Sequence, residues 1–114
     1  MQPIQTNAVQ QVLDQLKGFD LYIHLEITNG AYTSHRDKSR LTVANFLRNV
    51  VIRYTHGTIS GTGPYRVGLK LPNGWVFTEG LTHWEENEPG RLVLAGLDSD
   101  GRLNVALQLS PEPF

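Results

Sequence analysis

The chain has 114 residues, a size that suits one folded domain and leaves little room for two. It contains no cysteine, which excludes disulfide bonds, cysteine-ligated zinc and a thiol nucleophile. Ten basic and eleven acidic residues give a net charge of −1, so we expect no nucleic-acid partner and no attachment to an anionic membrane.

The beginning of the chain does not have the pattern of a targeting segment. Residues 1–7 lack the basic region and the apolar stretch of a secretory signal. No apolar run approaches the ~20 residues that a helix needs to span a bilayer. We therefore expect one cytoplasmic domain over residues 1–114.

One short amphipathic helix is predicted first. Its apolar residues recur at the 3.6-residue spacing of a helix, and Gly18 ends the run. Thr6 or Asn7 is the predicted N-cap. The apolar positions are Val9, Val12, Leu13 and Leu16. We expect this face to pack on the rest of the domain.

A β-hairpin is predicted next. Residues 21–28 alternate between apolar and polar, which is typical of a strand with one buried face. Asn29 and Gly30 then form the strongest short-range signal for a two-residue hairpin turn. Residues 31–36 are the predicted partner strand. In that register His24 faces His35 across the hairpin.

The remainder of the chain is predicted to form further strands and turns, followed by a short tail. Residues 41–48 are compatible with an edge strand or with one helical turn, and Gly57 is a predicted bulge. Residues 82–90 are predicted to be an acidic loop. The remaining predicted strands are 50–59, 65–71, 75–77, 92–97 and 103–109.

Together these elements predict a β-rich α+β fold. One N-terminal helix packs on a mainly antiparallel curled sheet, or on a small barrel, of about seven strands. A barrel and a sandwich both remain open at this point. Alternation over residues 50–54 puts apolar side chains on both faces of a strand, so we expect a homo-oligomer, with a dimer favoured.

A metal site is one candidate for chemistry. In the predicted hairpin, His24, Glu26 and His35 lie on the polar face and could converge on one divalent transition metal. A half-solvated sheet places polar residues on its outer face in any case, so a purely structural role is the favoured interpretation. A slip of one residue in the hairpin register would remove His35 from this face.

Two further segments are candidates for ligand binding. Tyr65 and Arg66 follow a glycine-rich stretch, residues 61–64, which could form an anion-binding concavity. No helix is predicted after it, so a tight connection between strands is the favoured interpretation. Trp84 lies in the predicted acidic loop, where an aromatic ring could bind a sugar or an amine, although such a loop is more often only solvated.

Motifs of the common hydrolases and nucleotide-binding enzymes are absent from the sequence. A non-catalytic binding module is therefore favoured over an enzyme. The alternative is a small metal- or ligand-binding barrel, with or without catalysis, that uses His24, Glu26 and His35.

Several short stretches also resemble a known family. They are Tyr22 to Glu26, Gly30-x-Tyr32-x-x-His35, Leu47 to Asn49, Gly61-x-Gly63 to Lys70, Gly74 to Val76, Glu79 to Thr82 and Leu107 to Ser110. In these stretches the chain resembles the YojF-type family of small uncharacterised proteins from Gram-positive, endospore-forming bacteria. The likeness runs from about Val9 to Phe114.

This resemblance implies a cytoplasmic bacterial protein without assigned catalytic residues. It also implies a gene neighbour, a zinc-dependent amidohydrolase-type deacetylase that acts on an N-acetylglucosamine malate conjugate in bacillithiol synthesis. We therefore expect an accessory role beside such a deacetylase.

Overall fold

The computed structural model describes residues 1–29, 43–86 and 89–114. These ranges contain one helix, α1 (Thr6–Leu16), and nine strands. The strands are β1 (Gln2–Pro3), β2 (Leu21–Asn29), β3 (Val43–Ile52), β4 (His56–Ser60), β5 (Tyr65–Leu71), β6 (Gly74–Leu81), β7 (His83–Glu85), β8 (Leu92–Leu97) and β9 (Leu103–Ser110). In the described ranges no helix has the length and apolar character that crossing a membrane requires.

The strands form two antiparallel sheets. The larger sheet has the order β1-β7-β8-β9-β2-β3, and the smaller has the order β4-β5-β6. The predicted β-rich α+β fold with one N-terminal helix is thus confirmed. Both sheets are open, so the small barrel is wrong, and about seven strands was an underestimate for the nine described.

Helix α1 buries the predicted face, with Val9, Val12, Leu13 and Leu16 in the core. The predicted cap is wrong, because Gln5 holds that position and its side chain makes no cap hydrogen bond. Gln10 connects the helix to β4. Its Nε2 donates to the Gly57 carbonyl at 2.7 Å, and its Oε1 accepts from the Ile59 amide at 3.1 Å. The side-chain amide thereby satisfies backbone groups along one edge of β4.

The predicted strand over residues 50–59 is divided in two. Strand β3 ends at Ile52, β4 begins at His56, and Tyr54 between them is fully buried. The Tyr54 hydroxyl donates to the Leu13 carbonyl at 2.7 Å. Gly57 is not a bulge: a Cβ there would lie 2.8 Å from the Tyr54 ring, so glycine provides room for that ring.

The predicted register of β2 is wrong. His24 lies opposite Arg48 on β3 and Gln108 on β9, so β2 is paired along both edges at this point. The turn chemistry at Asn29 and Gly30 is a local preference, whereas long-range pairing with β9 and β3 decides the neighbours of the strand. Residues 30–42, which include the predicted partner strand, lie outside the described residues.

The two sheets touch at a pair of glycines. A Cβ at Gly96 on β8 would overlap the carbonyl oxygen of Gly80 on β6 and would also crowd Val105 on β9. Glycine at this position therefore permits a close approach of the two backbones. Beside this contact the sheets leave an open groove between them.

Candidate functional site

The groove between the two sheets is the candidate functional site, and we call it the inter-sheet groove. It has a volume of about 680 Å³, within the range of small-molecule sites. Strands β2, β5, β6 and β9 position the side chains around it. These residues are Leu25, Ile27, Arg66, Phe77, Thr78, Glu79, Gly80, Asn104 and Val105.

One wall of the inter-sheet groove is apolar. Leu25 and Ile27 lie on the inward face of β2, and Val105 lies beside them on β9, where it pairs with Ile27. Alternation along β2 directs these side chains away from its polar face, as the sequence predicts. Ile27 is large and apolar but remains exposed. A ligand that covers this wall would remove apolar surface from water, which favours binding.

The opposite wall contains a polar atom without a partner. Thr78 on β6 is only 4% exposed, and its Oγ1 has no hydrogen-bond partner among the residues that the structure describes. An unpaired buried hydroxyl costs roughly 1–3 kcal/mol. Because Thr78 lines the inter-sheet groove, a ligand with a hydrogen-bonding group could satisfy the hydroxyl once the side chain turns towards the groove.

A charged pair lies at the rim of the inter-sheet groove. Arg66 Nε is 3.5 Å from Glu79 Oε1, and both side chains are largely exposed. Exposed pairs of this kind contribute about 0–1 kcal/mol, so either partner can exchange its contact for a ligand. The Arg66 guanidinium also lies 4.1 Å from the centre of the Phe77 ring, which holds it beside the groove.

A smaller apolar hollow of about 160 Å³ adjoins the inter-sheet groove. It shares Leu25 and Ile27 and adds Asn45, Phe46 and Leu47 from β3. The apolar wall therefore runs across two strands of the larger sheet, which is long enough for an extended apolar group.

The structure places the three predicted ligand residues in different surroundings. Arg66 lines the inter-sheet groove, whereas Tyr65 is half-buried and packs against the core. Residues 61–64 connect the antiparallel strands β4 and β5, so the favoured interpretation of a tight connection is confirmed. The predicted loop around Trp84 is wrong, because Trp84 lies on β7 and is 7% exposed in the core. Its ring cannot meet a ligand at the surface.

The predicted metal ligands are not brought together among the described residues. His24 and Glu26 share the outward face of β2, and His24 lies near two aromatic rings: its ring centre is 6.5 Å from that of Phe46 and 6.2 Å from that of Phe114. The described ranges contain no group of three or more histidine, aspartate or glutamate residues that could hold a metal ion. His35 lies outside these ranges. The metal site therefore stays a prediction, although the hairpin register on which it was based is wrong.

The comparisons with known proteins identify the family. The model described as "Protein of unknown function (DUF1806)" matches residues 3–114. The chain belongs to this family. The uncharacterised protein YojF of Bacillus subtilis (strain 168) is 41% identical over 114 residues, which is 100% of this chain and 98% of that protein. The crystal structure of B. subtilis YojF matches with a TM-score of 0.83 and 38% identity, covering 99% of this chain and 95% of that chain.

The predicted resemblance to YojF-type proteins is thereby confirmed. The family description and the name of the relative assign no activity, so the site has to be interpreted from its own geometry. Sequence reasoning missed Thr78, Gly80 and Asn104. The alternation of β6 carries one weak signal for Thr78, because this polar residue occupies an inward position two residues after Val76.

Large apolar side chains are exposed on neighbouring strands of the larger sheet. They are Ile27, Phe46, Leu47, Val50 and Val51. Strand β3 stands at the end of the order in this sheet, and edge strands with apolar faces favour association. The expected homo-oligomer stays a prediction.

Proposed function

We propose that this protein is a non-catalytic binding module whose ligand occupies the inter-sheet groove. The unpartnered hydroxyl of Thr78 carries this proposal. Folding has buried a polar group at a cost, and the residue that carries it lines a groove large enough for a small molecule. A ligand that satisfies the hydroxyl recovers that cost on binding.

The groove indicates what the ligand is like. Leu25, Ile27 and Val105 suit an apolar part, Thr78 suits a hydrogen-bonding group, and Arg66 suits an anionic group. A small amphipathic molecule with one acidic function meets all three conditions.

We further propose that the binding module acts as an accessory to a deacetylase. Support comes from the family resemblance, which implies a neighbouring gene for a zinc-dependent deacetylase of an N-acetylglucosamine malate conjugate. A module that binds the substrate or product of such an enzyme would alter the rate of the enzyme by presenting or removing that molecule.

The accessory role predicts a measurable effect on the deacetylase. We expect the two purified proteins to co-elute in size-exclusion chromatography, or the steady-state rate of the deacetylase to change when this protein is added. Arg66→Ala should reduce the effect, and Arg53→Ala is the matched control, because Arg53 is exposed and pairs with Asp20 away from the groove. Separate elution together with an unchanged rate would show that the accessory role is wrong.

Removal of the Thr78 hydroxyl should separate stability from binding. Thr78→Val keeps the shape of the side chain and removes an unpartnered polar atom, so we expect the free energy of unfolding to rise by roughly 1–2 kcal/mol. The effect of the protein on the deacetylase should fall in the same variant. Urea unfolding gives the first quantity and the steady-state assay the second.

Thr58→Val is the control for this substitution. Thr58 is exposed on β4, so its hydroxyl is solvated and its loss should change stability by less than about 0.5 kcal/mol. A Thr78→Val variant that is less stable than the parent would mean that the hydroxyl is satisfied in the unliganded protein, and the groove would lose its main support.

A further inference from the structure

The outward face of the smaller sheet has a composition unlike the rest of the surface. Alternation along three strands brings nine residues to this face, which we call the aromatic–basic face. They are His56, Thr58 and Ser60 on β4, Arg66, Gly68 and Lys70 on β5, and Trp75, Phe77 and Glu79 on β6.

Two large aromatic side chains remain in solvent here. Trp75 is 55% exposed and Phe77 is 49% exposed. Their rings are stacked, with centres 5.3 Å apart and planes inclined by 7°. Gly68 lies opposite Phe77 on β5, and a Cβ there would lie 2.9 Å from the Phe77 ring. Glycine thus allows the ring to lie close over the sheet.

Two cations accompany these rings. The Arg66 guanidinium is 4.1 Å from the centre of the Phe77 ring, well inside the range of a cation–π contact. Lys70 Nζ is 5.9 Å from the centre of Trp75, at the outer limit of that range. The Lys70 ammonium therefore interacts only weakly with the ring and is able to bind an anion.

A shallow depression lies beside the rings. It has a volume of about 390 Å³ and is lined by Thr58, Ser60, Arg66, Gly68, Trp75 and Phe77. Gly68 presents no side chain to it, and the β4 hydroxyls face the rings across it. An aromatic surface, hydrogen-bonding hydroxyls and a cation are thus available to one ligand.

We propose that the aromatic–basic face binds a nucleotide unit, with the base against Trp75 and the phosphate at Lys70 and Arg66. Aromatic side chains on an antiparallel sheet stack bases, and flanking cations meet the backbone phosphates. The net charge of −1 argues against long-range attraction of nucleic acid. It does not oppose a short-range contact with Lys70 and with Arg66, which exchanges its contact with Glu79 for the phosphate.

This site goes beyond the proposed function and is largely separate from the inter-sheet groove. Arg66 and Phe77 line both, and they stand between them. Lys70 and Trp75 belong to the aromatic–basic face alone. Substitutions at these two positions therefore test the nucleotide site without altering the lining of the groove.

Tryptophan fluorescence provides the test, because the chain has two tryptophans, of which Trp75 is exposed and Trp84 is buried. The probes are adenosine monophosphate and an eight-nucleotide strand of thymidylate. We expect saturable quenching of the Trp75 fluorescence. For the strand, the logarithm of the binding constant should fall with the logarithm of the salt concentration with a slope of about −1.4 if two phosphates are contacted, because each contributes about −0.7. Lys70→Ala should reduce that slope by about half.

Calorimetry on variants measures the contribution of stacking. Trp75→Ala should weaken binding about 5- to 150-fold, the range that corresponds to one stacked base. Phe19→Ala is the matched control, because Phe19 is an exposed aromatic residue outside this face. Thr78→Val should leave nucleotide binding unchanged, which distinguishes this site from the groove. Circular dichroism confirms that each variant is folded.

The two probes also distinguish the source of the nucleotide. Tighter binding of the strand supports single-stranded nucleic acid, and comparable binding of adenosine monophosphate supports a free nucleotide. Quenching by neither probe at millimolar concentration, or binding that Trp75→Ala and Lys70→Ala leave unchanged, would overturn the proposal.

Discussion

Replacement of Gly96 by alanine should destabilise the protein by about 3 kcal/mol or more. A methyl group at Gly96 would overlap the backbone carbonyl of Gly80, and a carbonyl within a strand cannot move aside as a side chain can. Added volume in a packed interior costs roughly 1–3 kcal/mol even where neighbours can adjust. The free energy of unfolding in urea is the quantity to measure.

Gly101→Ala is the comparison that isolates the steric cause. Gly101 has a φ of 77°, and apart from its chain neighbours no atom in the described part of the chain lies within 4 Å of the position that a Cβ would take. The Gly101→Ala substitution should lower the free energy of unfolding by only ~1–2 kcal/mol, which is the cost of holding alanine in the left-handed conformation. Similar losses in the two variants would mean that the sheets do not meet closely at Gly96.

The close contact at Gly96 also bears on the inter-sheet groove. Gly80 and Val105 take part in both, so a wider separation of the sheets would alter the groove wall. We therefore expect any folded Gly96→Ala protein to lose stability and also the ligand binding proposed for the groove.

Elements that depend on local patterns could be predicted from the sequence. The buried face of α1 follows from a spacing of 3.6 residues, and the residue types at positions 98–101, between β8 and β9, favour a turn. In the structure the Asp98 carboxylate accepts hydrogen bonds from the amides of Asp100 and Arg102. These bonds, that from Arg102 foremost, lower the pKa of Asp98.

Pairing between distant strands could not be predicted in this way. Strand β3 carries apolar residues on both faces, and a bulge at Asn49, which has a φ of 60°, shifts its register against β2. The burial of Trp84 could not be predicted for a related reason. Its neighbours in the sequence are acidic, which is typical of an exposed loop, but β7 lies between β1 and β8 in the larger sheet. The partner strand decides burial in both cases.

The candidate site is only partly visible in the sequence. Arg66 stands out beside a glycine-rich stretch, and it does line the inter-sheet groove. Thr78 and Asn104 come from strands that are distant in the chain, and the groove exists only because two sheets diverge beside Gly80. No local pattern reports such a divergence.

Substitution of Tyr54 should also lower the free energy of unfolding strongly. It is fully buried, and its hydroxyl donates to the Leu13 carbonyl in the last turn of α1. Tyr54→Ala should cost about 3–5 kcal/mol, as expected for a truncated aromatic core residue. Tyr54→Phe should cost about 1–2 kcal/mol, because it keeps the ring and leaves only the carbonyl without this donor.

The same hydroxyl should make the protein sensitive to alkali. Burial, and then the nearby Asp14 carboxylate, raise the pKa of Tyr54 above its ordinary value. The folded protein holds this proton more tightly than the unfolded chain does. The protonated Tyr54 hydroxyl therefore makes its full contribution to the free energy of unfolding below a pH of about 10, and this contribution is lost as the pH rises towards the folded pKa. Over that window the free energy of unfolding should fall by up to about 1.4 kcal/mol per pH unit. Tyr54→Phe should remove this part of the slope, and equal slopes in the parent and the variant between pH 10 and about 12 would contradict the assignment.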